Sequence, residues 1–189
     1  GGAPLRSEAL YNLAVQKEDY DRALELSEEL ASEYCSTYTY NMWQRARRIS
    51  IFGQVRKEEA IAAWKDAEHA ARENIRLFLN KKHADFLNIS RNPYTRLFDV
   101  LFSMSGDYLA LSDIESALGC VERLTDAAAE YYAWMRENCE DEKLFELAVK
   151  DIEDFPRGCY NGVIENPDNI LTREPRYQAC VERLKTLKS

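Results

Sequence analysis

Small and apolar side chains recur every three or four positions along most of the chain, which is the spacing of one buried stripe on an α-helix. Leu10, Leu13 and Ala14 mark the inward side of a first helix over Leu5–Gln16. Lys17-Glu18-Asp19 interrupts it, and Asp19 stands as the N-cap of a second helix. The stripe of that second helix is Tyr20, Ala23, Leu24, Ser27, Leu30, Ala31 and Tyr34. So short a connection forces the two helices antiparallel. A third helix runs over Tyr38–Phe52 with Met42, Trp43, Ala46 and Ile49 inward, and Gly53 follows as a residue able to take positive φ. A fourth, Glu58–Asn80, turns Ala60, Ile61, Trp64, Ala67, Ala71, Ile75 and Phe78 inward.

The stretch Lys81–Pro93 breaks the pattern, and Pro93 opens a fifth helix at its first turn. Its stripe is Leu97, Phe98, Leu101, Phe102, Ser105, Tyr108 and Leu109. Ser112-Asp113 ends it. A sixth helix follows with Ile114, Ala117, Leu118, Val121, Leu124, Ala128, Tyr131 and Met135 inward, and a seventh covers Asp141–Ile152. Phe155–Pro175 carries the turn signals Phe155-Pro156-Arg157-Gly158 and Asn166-Pro167-Asp168-Asn169. A last helix, Arg176–Leu187, turns Tyr177, Cys180, Val181 and Leu184 inward. The expected fold class is therefore all-α, built from antiparallel helix pairs.

One arrangement occurs three times. Leu13-Ala14-Val15-Gln16-Lys17-Glu18-Asp19-Tyr20-Asp21-Arg22-Ala23-Leu24 ends one helix, turns, and starts the next on an Ala-Leu pair. Leu109-Ala110-Leu111-Ser112-Asp113-Ile114-Glu115-Ser116-Ala117-Leu118 does the same, and Ile51-Phe52-Gly53 followed by Glu58-Glu59-Ala60-Ile61 is a looser copy. This resembles the middle of a tetratricopeptide (TPR) repeat, where a small side chain lets two helices approach closely. Glu18 and Ser112 stand where that turn usually carries Gly. The resemblance implies helix pairs stacked as a right-handed superhelix over residues 5–153. Residues 154–189 then form a loop and a C-terminal capping helix, and Gly1–Pro4 reads as the scar of a cleaved tag. A narrower resemblance is to the TPR-like regulatory half that follows an Xre-type helix-turn-helix in bacterial transcription regulators. It rests on Lys17–Leu24 and on Glu174-Pro175-Arg176-Tyr177-Gln178 with Glu182-Arg183-Leu184. On that resemblance the chain is the half that does not touch DNA.

Charge sharpens the picture. The 189 residues carry a formal net charge of −8. Affinity for duplex nucleic acid comes from displacing counterions with a basic surface, so direct nucleic-acid binding is not expected. No apolar run reaches the ~18 residues that a membrane span needs. The 5 cysteines, Cys35, Cys120, Cys139, Cys159 and Cys180, are odd in number and widely spaced. That pattern fits idle thiols in a reducing cytoplasm better than a disulfide framework or a metal site.

Candidate chemistry is sparse. Asp66 and His69 share a helix face, but a di-iron bundle needs two Glu-x-x-His helices and further carboxylates, so a solvated face is the better account. Gly158-Cys159-Tyr160-Asn161-Gly162 lacks the Lys-Ser/Thr of a phosphate loop and reads as a turn. No nucleophile elbow or dinucleotide turn is present, and neither an enzyme nor a cofactor is expected. The charge anomaly is Arg45, Arg47, Arg48, Arg56 and Lys57, with no acid between them. In a TPR array the third helix lines the concave face, where these cations would receive a carboxylate of a bound peptide. The competing account pairs them with Glu residues of neighbouring helices. Arg45 and Arg48, with Asn41 and the groove asparagine Asn12, form the candidate ligand-contacting set. Glu8 precedes Asn12 where a chaperone-tail clamp carries Lys, so that ligand is not implied. Tyr34, Tyr38, Tyr40 and Trp43 have the spacing of a helix–helix seam.

The expected function is a protein- or peptide-binding module, either as the regulatory part of a transcription regulator, able to act as a homodimer, or as a free-standing scaffold. A helical enzyme with an unrecognised site is the remaining alternative.

Overall fold

The computed structural model describes residues 3–19, 22, 26, 35–52, 56–81, 93–143, 145–147, 149–150 and 170–187. Every regular element among them is helical. Helix α1 spans Ala3–Gln16, α2 Cys35–Phe52, α3 Lys57–Lys81, α4 Pro93–Ala110 and α5 Ile114–Asn138. A 3₁₀ turn, Ile170–Arg173, leads into α6, Pro175–Lys185. Among the described residues no helix is long and apolar enough to cross a membrane. The expected second helix lies outside the described residues except for Arg22 and Leu26, both helical, with Leu26 buried. Residues 142–143, 145–147 and 149–150 are helical, within the span expected for the seventh helix. The interruption at 82–92 and the turn-rich stretch at 151–169 lie outside the described residues.

Helix directions can be read from which residues meet. Thr39, near the start of α2, donates its hydroxyl to the Ala70 carbonyl late in α3 at 3.2 Å. Lys57, at the start of α3, donates to the Ser50 carbonyl near the end of α2 at 3.2 Å. The pair is antiparallel. Helices α4 and α5 repeat this arrangement, with Ser105 donating to the Ala117 carbonyl at 3.2 Å. Trp64, early in α3, meets Asp107, late in α4, so these two are antiparallel as well. Helix α2 also touches α4. There Trp43 lies beside Arg96, and Ser50 beside Asp107, so α2 and α4 run parallel, with α3 packed against both.

Helix α3 is buried on two sides, and its composition shows it. Ala60, Ala63, Ala67, Ala70 and Ala71 are buried together with Ile61, Trp64 and Ile75. Alanine has the best helix propensity and leaves room for backbones on either side to come close. The main core continues through Tyr94, Leu97, Phe98, Leu101 and Met104 of α4 against Leu124, Ala128, Tyr131 and Met135 of α5. Tyr94 and Tyr131 stack with centroids 4.7 Å apart. A smaller cluster of Ala117, Leu118, Leu171 and Tyr177 seats α6 on α5. Around it Arg176 binds Glu115 at 2.7 Å and also Glu122, while Arg183 binds Asp126. This order of pairing sets α6 parallel to α5.

Three apolar residues leave their expected stripes. Leu10 and Leu13 are 39% and 43% exposed, while Tyr11 and Ala14 are buried. Helix α1 is thus rotated by about one position, about 100°, because the large Tyr11 ring takes the seam. Phe102 is 40% exposed, since the buried side of α4 runs through Leu97, Leu101 and Met104 instead.

The turns after α1 and α4 are built alike. Glu18 and Ser112 have φ of 58° and 59°. The Glu18 N–H donates to Val15 at 3.0 Å and the Asp19 N–H to Ala14 at 2.9 Å. At the other turn Ser112 donates to Leu109 at 2.9 Å and Asp113 to Tyr108 at 3.0 Å. Both are Schellman motifs, which favour Gly at the left-handed position. The aspartate that closes each motif also caps the next segment: Asp19 accepts from the Arg22 N–H at 3.2 Å and Asp113 from the Ser116 N–H at 3.1 Å.

Two substitutions probe these features. Ser112→Gly relieves left-handed strain that exceeds the flexibility Gly adds to the unfolded chain, so urea unfolding should show a gain of about 0.5–1 kcal/mol. Asp107→Ala removes a buried carboxylate that accepts from Ser50, Lys57 and Trp64. The same measurement should show a loss of about 2–4 kcal/mol, and a loss below about 1 kcal/mol would show that water replaces those bonds.

Candidate ligand-binding cleft

Two stripes face one another where α2 and α4 run side by side. Tyr40, Trp43, Arg47 and Ser50 share one side of α2, at helical spacings of three and four. Arg96, Asp99, Ser103 and Asp107 do the same on α4. Between them opens a cleft of about 440 Å³ lined by Trp43, Arg47, Ser50, Trp64, Asp99 and Ser103.

Asp107 closes the lower end. It is 6% exposed and accepts from Ser50 Oγ at 2.7 Å, Lys57 Nζ at 2.9 Å and Trp64 Nε1 at 2.9 Å. Its capacity is spent on the fold. At the upper end Arg96 lies 4.3 Å from the Trp43 ring centroid and 5.2 Å from that of Tyr40. Arg47 lies 5.4 Å over the same Trp43 ring. Cation–π contacts of this kind hold a guanidinium without consuming its N–H donors. Among the described residues neither Arg47 nor Arg96 has a carboxylate oxygen within ion-pair distance, whereas Arg45, Lys57, Arg72, Arg123, Arg176 and Arg183 all do.

Asp99 is half-buried. Burial pushes its carboxyl above the usual range, and Trp43, Arg96 and Arg47 pull it back only in part. Burial likewise lowers Arg96, with Asp99 and Tyr40 opposing. The buried Trp43 indole N–H faces Asp99 and lowers its carboxyl as a hydrogen-bond donor does. The cleft therefore brings one guanidinium, Arg47, one indole N–H and one carboxylate together, with Arg96 beside them acting on the same carboxylate.

The residues singled out from the sequence sit elsewhere. At 100° per residue, Asn41, Arg45 and Arg48 lie on nearly the opposite side of α2 from Trp43 and Arg47. Asn41 is half-buried and donates to Tyr11 Oη of α1 at 3.4 Å. Arg45 pairs with Asp66 of α3 at 3.5 Å. Arg48 and Asn12 are exposed. The basic run is thus divided: Lys57 goes to Asp107, Arg45 to Asp66 and Arg47 to the cleft. Of the aromatic cluster, Tyr40 is 44% exposed and Trp43 is half-buried, packed on the core yet edging the cleft, so neither simply fills a seam. The side chains of Tyr34 and Tyr38 lie outside the described ones, as do His83 and the turn around Cys159. His69 is exposed, and among the described residues no three His, Cys, Asp or Glu side chains converge as a metal site. Cys120, Cys139 and Cys180 are free thiols. Burial raises Cys120 to about 11 and Cys180 in the same direction, which makes both poor nucleophiles.

Sequence reasoning missed Arg96, Asp99 and Ser103. One signal for them was present. They form a polar line along α4, an otherwise apolar helix, and with Asp107 that line persists for the helix length. No protein-family model, no curated protein and no solved structure matches the chain.

Asp99→Asn tests the electrostatics. The folded-state carboxyl titrates above its unfolded value, so ionised Asp99 opposes folding. That penalty is absent below the unfolded value, near pH 4, and grows as pH rises through the folded one. The variant should unfold at a higher temperature than the parent at pH 7, with the difference vanishing toward pH 3. Equal melting at both pH values would show that Asp99 is well solvated.

Proposed function

We propose that this chain is a TPR-like peptide-binding module whose ligand lies along the cleft between α2 and α4. One observation carries the reading: two parallel helices present facing aromatic and charged stripes along an open cleft. Helical-repeat proteins use the concave side formed by successive pairs as an extended binding surface. The alternation of α2–α3 with α4–α5, each pair tied by a hydroxyl on a backbone carbonyl, supports the repeat reading. So do the matched turns after α1 and α4. A peptide laid in the cleft would stack on Trp43 and Tyr40 and take polar contacts from Arg47 and Asp99. In a transcription regulator of the Xre-associated kind, such docking would bias the arrangement of the attached domain or of a dimer.

The test is a displayed random-peptide library panned on the parent and on single charge reversals. The parent should enrich a consensus that Arg47→Glu no longer captures, with circular dichroism checking that the helical fold is kept. Arg45→Glu and Arg48→Glu are the discriminating arms. Loss of capture with those two alone would move the site to the other side of α2. No enrichment on the parent would defeat the peptide reading.

A further inference from the structure

The cleft carries one charge of each sign on its walls. Arg47 stands on the α2 side and Asp99 on the α4 side. Arg47 lowers the Asp99 carboxyl across the gap, yet the two do not close into an ion pair. Asp107 adds nothing to the sum, because Lys57 neutralises it at 2.9 Å. The lining is therefore neutral overall. Burial still outweighs the groups that favour ionised Asp99, namely Trp43, Arg96 and Arg47, so this carboxylate gains from a further donor. A cation is a poor choice for that donor, because Arg47 lines the cleft and Arg96 lies beside it. An anion is a poor partner for Arg47, because Asp99 faces it. Trp64 and Ser50 give their donors to Asp107, so Trp64 offers the cleft its ring rather than its N–H.

We infer that the cleft is a neutral-amide site, in which an amide group of the bound peptide lies between the α2 and α4 walls, its carbonyl accepting from Arg47 and its N–H donating to Asp99. This rests on the peptide reading and specifies the group that the peptide presents. Arg47 only donates and ionised Asp99 only accepts, so a group that bridges them must do both. Carboxylates only accept, ammonium and guanidinium groups only donate, and an amide does both from two different atoms. It brings no net charge, which leaves the balance of the lining intact. A flat amide also suits a cleft lined by the Trp43 and Trp64 rings, and Ser103 adds a hydroxyl that donates or accepts. Main-chain amides and the side chains of Asn and Gln share this chemistry.

Four probes are titrated at millimolar concentration into the full ¹⁵N-labelled chain: the N-acetyl N-methylamides of glutamine, glutamate, lysine and norleucine. The chain has 3 tryptophans, and Trp43→Phe identifies the Trp43 indole signal. With the glutamine probe the signals of Trp43 and Trp64, which line the cleft, should shift and saturate, while that of Trp134 moves little. The glutamate and lysine probes should bind about tenfold more weakly, the effect of one hydrogen bond to a charged group left unmade. The norleucine probe separates the two sources of the amide. Affinity equal to that of the glutamine probe marks a main-chain amide, and a loss like that of the charged probes marks a side-chain carboxamide. Arg47→Met should weaken the glutamine probe by a similar factor and Arg45→Met should not, with circular dichroism checking the fold of both. Asp99→Asn removes the charge that rejects anions, so the glutamate probe should then overtake the glutamine one. Glutamate or lysine bound by the parent as tightly as glutamine, an unaltered preference in Asp99→Asn, no effect of Arg47→Met, or indole shifts that never saturate would each overturn the inference. The two readings fail separately. A peptide library enriched in acidic residues captured through Arg47 removes the amide inference and leaves peptide binding intact. Saturable, selective binding of the glutamine probe with no enriched peptide removes the peptide reading and keeps the amide site.

Discussion

A carboxylate with almost no access to water governs how these helices assemble. Asp107 cannot stay ionised in the interior unless donors surround it, and the donors come from two other helices. Ser50 stands at the end of α2, Lys57 at the start of α3, and Trp64 two turns further along α3. All three reach one carboxylate only if the end of α2 and the start of α3 sit against the last turns of α4. That requirement places α2 and α4 in parallel and sets their stripes in register. The cleft above Asp107 is a result of that register: Trp43 and Arg47 meet Arg96 and Asp99 because Ser50 meets Asp107. Apolar packing supplies the bulk of the stabilisation, but it tolerates sliding by a turn. The buried carboxylate does not, since a slipped helix would leave it without partners.

The close packing that brings those donors together depends on small side chains. Five buried alanines along α3 let α2 and α4 approach from two sides. Ala117 does the same where α5 meets α4, and the Ser105 hydroxyl closes on its carbonyl. Each of the two short turns then works with a single aspartate at the junction, ending one helix and beginning the next segment. This economy keeps the turns to a few residues, and the short turn at Ser112-Asp113 leaves α4 and α5 little freedom in crossing angle.

Much of the fold was legible because helical periodicity reports burial directly. The inward sets read for α3 and α5, from Ala60 to Ile75 and from Ala117 to Met135, are buried as expected except for the half-buried Val121. Helix α1 departs from its expected stripe by one position, since Leu10 and Leu13 outweigh Tyr11 on any hydropathy count while an aromatic ring with a hydroxyl fills the seam better. The all-helical class and the antiparallel pairing at the Ser112–Asp113 turn were readable from local signals. The cleft was not. Its contacts join residues more than forty positions apart, and nothing local tells an aspartate that will be buried from one that will be solvated. The basic run drew attention as a cluster, yet a helix distributes consecutive residues around its axis. Arg45 and Arg47 therefore point to different neighbours, and proximity in sequence overstated their common purpose.

The placement of Arg96 against two aromatic rings has a kinetic side. A guanidinium tied to a carboxylate must give up that partner before it can serve an incoming anion, and the exchange adds a barrier. Stacked guanidinium groups face no such exchange. One face is occupied while the N–H edges remain open, and the rings restrict rotation before anything arrives. A binding site of this kind begins close to its occupied shape, so little ordering entropy is lost at the encounter. Because the rings are neutral, dissolved salt screens the attraction of Arg96 for an anion while leaving the orientation of the guanidinium largely untouched. Affinity and geometry thus respond to ionic strength independently.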